Sequence, residues 1–140
     1  MNKKLILAVV AVVIGGVAFS AAQASASSAP IELAYAKTCN ASLYCEGTVG
    51  NGGTIKMQVT RYQATGDAAQ LTLTEWIKVG DISFTAELSG HSSPAGFIVL
   101  NGTVTDGSFA GAQVHQRSNF AGAGANTTSW IGELQLMPSS

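Results

Sequence analysis

The sequence is poor in charged residues and in cysteine. Lysine and arginine together number only 7 in 140 residues, and charged residues make up 11% of the chain, against roughly 25% in an average soluble domain. So few basic side chains exclude a surface that binds nucleic acid through its phosphates. Two cysteines are too few for a disulfide-dense scaffold. The hydrophobic content of 46% is too high for a disordered chain.

The first 26 residues have the composition of a secretory signal peptide. A basic start with Lys3 and Lys4 precedes an apolar run of fifteen residues, 5–19, and small residues follow. The A-x-A pattern fits cleavage after Ala26 or after Ala24. The apolar run is shorter than the roughly 20 residues of a membrane-spanning helix. We therefore expect a secreted protein, extracellular or periplasmic, with a mature domain over 27–140 and no membrane association after cleavage.

Cys39 and Cys45 are the two cysteines of the chain. An exported compartment permits a disulfide between them, and the loop that it would close has five residues. A structural zinc site needs four ligands at characteristic spacing, and neither a second cysteine pair nor a nearby histidine accompanies these two. The sequence thus predicts a disulfide that pins a turn, without a metal or another cofactor. Asn40, Asn101 and Asn126 each begin a sequon that accepts glycans in a eukaryotic secretory pathway.

Alternation of apolar and polar residues dominates the mature chain, and no apolar period of 3.6 residues persists over three turns after residue 30. Alternation rich in Thr, Val, Ile and aromatic residues is typical of half-buried β-strands. Glycine next to Asn or Asp separates the segments, as in hairpin turns. The sequence predicts almost no helix and eight antiparallel strands, over 31–36, 43–49, 54–62, 70–79, 82–88, 97–105, 113–120 and 128–137.

Eight short strands with short connections favour a single-domain, all-β antiparallel barrel, and a two-sheet β-sandwich is the alternative. The interior of such a barrel is either filled by side chains or holds one small ligand. Segments 47–52 and 102–107 are similar at an offset of 55, and Trp76 and Trp130 correspond at an offset of 54. This self-similarity indicates two pseudo-repeated halves of four strands. Strand parity disagrees, because it places Trp76 on a polar face and Trp130 on an apolar face.

Arg61 and Glu75 are predicted to point into the barrel, since each continues the apolar face of its strand. In a hairpin centred near residue 68 they lie roughly opposite each other. Such a pair is either a polar anchor at the end of an apolar ligand pocket or a salt bridge at the rim. Gln116 also continues an apolar face. Trp76 and Trp130 offer aromatic faces for stacking on sugar rings or a flat ligand, and both are equally explained as core or mouth residues.

No motif marks a catalytic site: the chain has no serine-hydrolase elbow, no zinc-protease motif and no phosphate-binding loop. The leading interpretation is a non-enzymatic extracellular protein that binds a small apolar or carbohydrate ligand in the barrel interior or at its mouth. The second is a structural or surface-interaction protein that assembles through sheet edges or a polar face. The third is a small barrel enzyme that uses Glu75 or His115.

Overall fold

The protein is a closed barrel of eight antiparallel strands. The computed structural model describes residues 29–138, and the predicted signal peptide and its cleavage sites lie outside them. Each strand pairs with the next in sequence, and the last pairs with the first. This confirms the barrel over the sandwich. The strands are β1 (Ile31–Cys39), β2 (Tyr44–Val49), β3 (Gly53–Thr65), β4 (Ala68–Val79), β5 (Ile82–Ser92), β6 (Phe97–Gly107), β7 (Gln113–Gly124) and β8 (Thr127–Met137).

Within residues 29–138, no helix is long and apolar enough to cross a membrane.

Glycine turns close several of the hairpins where the sequence predicts them. Gly66 and Gly80 take positive φ angles of 70° and 59° in the two-residue turns that follow β3 and β4, a conformation that glycine adopts without steric cost. Glycine does not mark a turn everywhere in the chain. Strand β6 continues through Gly107, and strand β7 continues through Gly122 to its end at Gly124. The turn after β7 instead contains Asn126, with φ 63°, a residue type that tolerates this region.

A β-bulge in β3 decides which side chains face the interior. The register shifts between Val59 and Arg61, so Thr60 is an extra residue without a partner, and its hydroxyl donates to the Thr72 carbonyl at 3.1 Å. An extra residue inverts the alternation beyond it. Tyr62 therefore lies opposite the inward Leu71, whereas Arg61 is exposed. The prediction that Arg61 points inward is wrong for this reason.

The interior is filled by apolar side chains except for a cluster of buried polar residues, which we call the polar layer. The largest fully buried apolar residues are Ile55, Leu73, Ile77, Leu88, Leu100, Leu134 and Leu136. Among the described residues, the buried polar side chains are Lys37, Glu75, Gln116 and Ser118. Apolar packing of this extent supplies the main driving force for folding. The polar layer costs free energy unless its groups find partners.

Cys39 and Cys45 form the predicted disulfide, with an S–S distance of 2.02 Å. They lie directly opposite each other in the β1–β2 register, at one end of the barrel. The intervening loop is held by the Asn40 side chain, whose Oδ1 accepts from the backbone N–H groups of Ser42 and Tyr44 at 2.9 and 3.2 Å. The disulfide is consistent with an oxidising or extracellular compartment.

The two tryptophans do not occupy equivalent places in the barrel. Trp76 is on the outer face and 41% exposed, between Lys56 and Thr85 on the neighbouring strands. Trp130 packs against the interior core. The alternation along each strand therefore predicts the face on which each tryptophan lies, whereas the internal repeat at an offset of 54 does not.

Candidate functional site

A partly enclosed pocket of about 200 Å³ opens at the barrel end that carries the disulfide. We call it the mouth pocket. A cavity of about 150 Å³ holds benzene, so the mouth pocket has room for one ring or a short chain. Its wall is mostly apolar and consists of Lys37, Cys39, Leu43, Cys45, Met57, Val59, Tyr62, Leu71, Leu73, Ser92, Ile98, Leu100, Thr128 and Trp130.

The rim of the mouth pocket exposes large apolar side chains. Tyr62 is 57% exposed and Leu43 is 38% exposed, and both line the pocket. Trp130 is half-buried. Its indole N–H donates to the Thr128 hydroxyl at 3.0 Å, and its ring meets that of Phe120 edge-to-face with centroids 5.4 Å apart. These contacts fix the tryptophan in the pocket wall with its polar atom already satisfied.

Lys37 is the charged residue in the wall of the mouth pocket. It is 5% exposed, because it continues the inward face of β1 between Tyr35 and Cys39. Its Nζ donates to the Met57 sulfur at 3.2 Å and lies 5.1 Å from the centroid of the Tyr35 ring. A thioether is a weak acceptor, so an ammonium group with three donors remains poorly satisfied here.

Glu75 lies in the same polar layer and is completely buried. It sits on β4 opposite Met57 of β3 and Ala86 of β5, neither of which is charged. Within the part of the chain that the structure describes, both of its carboxyl oxygens lack a hydrogen-bond partner, as do both amide atoms of Gln116. The amide nevertheless lies close enough to Glu75 to favour the ionised carboxylate. Buried polar atoms are rarely left unpaired in native proteins, so this layer carries unused hydrogen-bonding capacity.

Burial moves the pKa values of Glu75 and Lys37 toward each other. Desolvation raises the pKa of Glu75 to about 7, and the positive charge of Lys37 limits the rise. Desolvation lowers the pKa of Lys37 to about 8, and the negative charge of Glu75 opposes the fall. Both shifts follow the rule that a medium of low polarity disfavours the charged form. The two groups therefore change charge near neutral pH.

Tyr35 and Ser118 complete the polar layer. Their hydroxyls are hydrogen-bonded to each other, and Tyr35 Oη also donates to the Arg117 carbonyl at 3.3 Å. Burial raises the pKa of Tyr35 to about 12, so its hydroxyl stays protonated at neutral pH. Gly132 makes room for it, because a Cβ there would lie 2.7 Å from Tyr35 Oη and would overlap the Arg117 carbonyl oxygen.

The structure brings some of the sequence-predicted site residues together and separates others. Glu75 and Gln116 share the buried polar layer, and Trp130 lines the mouth pocket. Arg61 lies opposite Thr72 rather than Glu75, so the predicted pair does not form. Trp76 lies on the outer face, in an open groove of about 270 Å³.

Arg61 lines another outer groove, of about 530 Å³, between strands β3, β4 and β5. Its wall is mostly polar and includes Gln63, Gln70 and His91. It is more open than the mouth pocket and less apolar. A polar and open surface of this kind buries little of a ligand, so the mouth pocket is the stronger candidate.

Sequence reasoning missed Lys37 and Tyr35. The predicted first strand ended at residue 36, whereas β1 continues to Cys39. Had the alternation been extended, Ile31, Leu33, Tyr35, Lys37 and Cys39 would have shared one face. A lysine on an inward face contradicts the usual exposure of this residue type, and that contradiction was the available signal.

In the described residues, no group of three His, Cys, Asp or Glu side chains is arranged to hold a metal ion. His115 is exposed, and its Nδ1 is 2.6 Å from Asn101 Oδ1 on the neighbouring strand. Comparison with protein-family models, with curated proteins and with solved structures found no match to this chain.

Proposed function

We propose that the protein is a non-enzymatic extracellular binding protein whose mouth pocket takes a small, largely apolar ligand. The observation that carries this proposal is the pocket itself, about 200 Å³ with a mostly apolar wall. Eight-stranded barrels are wide enough to hold one small ligand. Ligand pockets are typically apolar with a few placed polar groups, and here Lys37 is such a group.

The exposed rim supports the same proposal. Tyr62 and Leu43 stand at the opening with much of their apolar surface in water. A bound ligand would cover part of that surface, and its burial contributes roughly 25 cal/mol per Å². Secretion, which the sequence predicts and the disulfide favours, would place the opening in an extracellular or periplasmic medium.

Two alternative functions have less support. Over residues 29–138 every strand has two partners, so assembly through an open sheet edge has no starting point there. An enzyme that uses Glu75 or His115 would need one of these groups in a pocket that a substrate can enter, and neither lines the mouth pocket. Glu75 is sealed in the interior, whereas His115 faces outward beside Asn101.

Titration of the purified protein with toluene, followed by Trp130 fluorescence, tests the proposal. A Trp76→Phe background leaves Trp130 as the one tryptophan, because the chain has two. We expect a saturable change and a rise in the melting temperature, since a ligand that binds only the folded state stabilises it.

A matched pair of substitutions locates the binding. Val59 lines the mouth pocket, whereas Val99 is half-buried on β6, opposite His91 and Arg117 on the outer face. Val59→Phe should fill the pocket and abolish binding, and Val99→Phe should leave it unchanged. If toluene, benzoate and hexanoate all fail to give saturable binding, or if the two variants behave alike, the mouth pocket is not a ligand site.

A further inference from the structure

We infer that the ligand of the mouth pocket is a small organic acid, whose carboxylate pairs with Lys37 while Glu75 takes up a proton from solvent. This inference rests on the proposed function and specifies its ligand. It combines two features of the interior, as residues 29–138 show it: a cation in the pocket wall without an oxygen partner, and a buried carboxyl group whose oxygens accept no hydrogen bond.

The first feature makes an acid a better ligand than a neutral molecule. Among residues 29–138, the ammonium group of Lys37 has the Met57 sulfur and the face of the Tyr35 ring as its close partners, and Glu75 acts on it through its charge without a hydrogen bond. A neutral apolar ligand would displace water from the pocket and leave this charge without a strong acceptor, which is costly. A carboxylate would supply a charge-assisted hydrogen bond, which is shorter and about twice as strong as a neutral one.

The second feature couples ligand binding to the uptake of a proton by Glu75. The groups that face Glu75 are Lys37 and Tyr35 of β1 and Gln116 of β7, with Ser118 beside Tyr35, while its partners on β3 and β5 are uncharged. Lys37 is thus the cation of this layer. A ligand carboxylate would place a second negative charge beside it, and two carboxylates that share one site raise the pKa of one of them.

Protonation of Glu75 would also use the unpaired amide next to it. A neutral carboxyl group gains an O–H donor, and the Gln116 oxygen is an acceptor without a partner. The proton comes from solvent and stays on a Glu75 oxygen, and no covalent bond of the ligand changes. Ligand and proton therefore enter together whenever Glu75 is ionised beforehand.

The charge states of Glu75 and Lys37 near neutral pH determine how the affinity for an acid changes with pH. Glu75 is ionised above its pKa of about 7, so above that pH each bound acid requires one proton. Lys37 loses its charge above its pKa of about 8, which weakens acid binding further. Affinity for an acid should therefore be greatest below pH 7 and fall toward alkaline pH, whereas affinity for a neutral ring should change little.

Calorimetric titration of the purified protein with benzoate, benzamide and toluene tests the inference. At about pH 6, benzoate should bind at least about tenfold more tightly than either neutral probe, since ionised partners form the stronger hydrogen bonds. At about pH 8, its affinity should be about tenfold weaker, because each pH unit above the pKa costs up to a factor of ten. Buffers with different ionisation enthalpies should report one proton or slightly more taken up at the higher pH, because Glu75 and the neutral fraction of Lys37 both gain protons.

Substitution of Glu75 measures its share of the proton uptake, and continued binding of toluene shows that the variant is folded. Glu75→Gln removes the competing anion and keeps the shape of the side chain, so proton uptake on benzoate binding should fall to the part that restores the charge of Lys37, whose pKa Glu75 no longer holds up. The exposed Glu87 on β5 provides the control, and Glu87→Gln should bind like the wild type. Lys37→Met should lose the preference for benzoate while toluene still binds.

The outcomes separate this inference from the proposed function. Toluene binding without a preference for benzoate would overturn the inference that the ligand is an acid, and the mouth pocket would remain a binding site for neutral ligands. A preference for benzoate without proton uptake, together with an unchanged Glu75→Gln variant, would overturn the role of Glu75. Failure of every probe to bind would overturn the proposed function itself.

Discussion

The buried carboxyl of Glu75 should make the barrel less stable as the pH rises from about 5 to about 7, the interval between its unfolded and folded pKa values. The pKa is 4.5 for an ordinary glutamate and about 7 in the folded protein. Between these values the folded state holds a proton that the unfolded state has released. The free energy of unfolding therefore falls with increasing pH over this window.

The magnitude follows from the size of the pKa shift. One pKa unit corresponds to about 1.4 kcal/mol, so the full shift corresponds to a loss on the order of 3 kcal/mol. This loss is a large fraction of the free energy of unfolding of a typical domain, which is roughly 5–15 kcal/mol. Lys37 acts in the opposite direction at higher pH. Its pKa is lowered from 10.5 to about 8, so the unfolded state holds the extra proton in that interval and stability rises again.

Urea unfolding of the oxidised protein across this pH range measures the effect. The wild type should show a minimum in the free energy of unfolding near pH 7–8, roughly where the two folded pKa values lie. The Glu75→Gln variant should lack the decline on the acid side, and the Glu87→Gln control should retain it. Parallel curves for wild type and Glu75→Gln would refute the argument that burial of this carboxyl controls the pH dependence.

Two further predictions concern the supports of the site. Gly132→Ala should lower the free energy of unfolding by about 1–3 kcal/mol, because its Cβ would overlap the Arg117 carbonyl oxygen and crowd Tyr35. Gly124→Ala, whose Cβ would meet only the Thr127 hydroxyl, should have a clearly smaller effect in the same urea assay. Replacement of both Cys39 and Cys45 by alanine should lower the free energy of unfolding by about 2 kcal/mol, which corresponds to the chain entropy that so short a disulfide loop removes from the unfolded state. An unchanged free energy of unfolding in urea under oxidising conditions would contradict this estimate.

Alternation predicted the eight strands, and their short connections favoured the barrel over the sandwich. Every predicted strand corresponds to an observed one, because half-buried strands must place apolar side chains at every second position. The disulfide followed from two cysteines in a sequence with a predicted signal peptide. Placement of Glu75 and Gln116 on the inner faces followed from the same alternation.

The bulge in β3 is the feature that alternation could not supply. An added residue leaves no compositional mark at Thr60, yet it turns Arg61 outward and Tyr62 toward the mouth pocket. Arg61 was the predicted charged partner of Glu75, but in the structure Lys37 takes this place and acts on Glu75 across the barrel. Contacts between strands distant in sequence depend on barrel closure, and single-strand patterns do not report them.

Closure of the barrel by β1 and β8 has a practical consequence for how the protein can be attached. Ile31 lies opposite Leu136, so the first strand enters and the last strand leaves side by side, at the rim farthest from the mouth pocket. A linker joined next to either residue would attach the barrel at the end opposite the mouth pocket, so that the opening of the pocket faces away from the support. Immobilised sensors and fusion proteins built on either end should thus keep ligand access unobstructed.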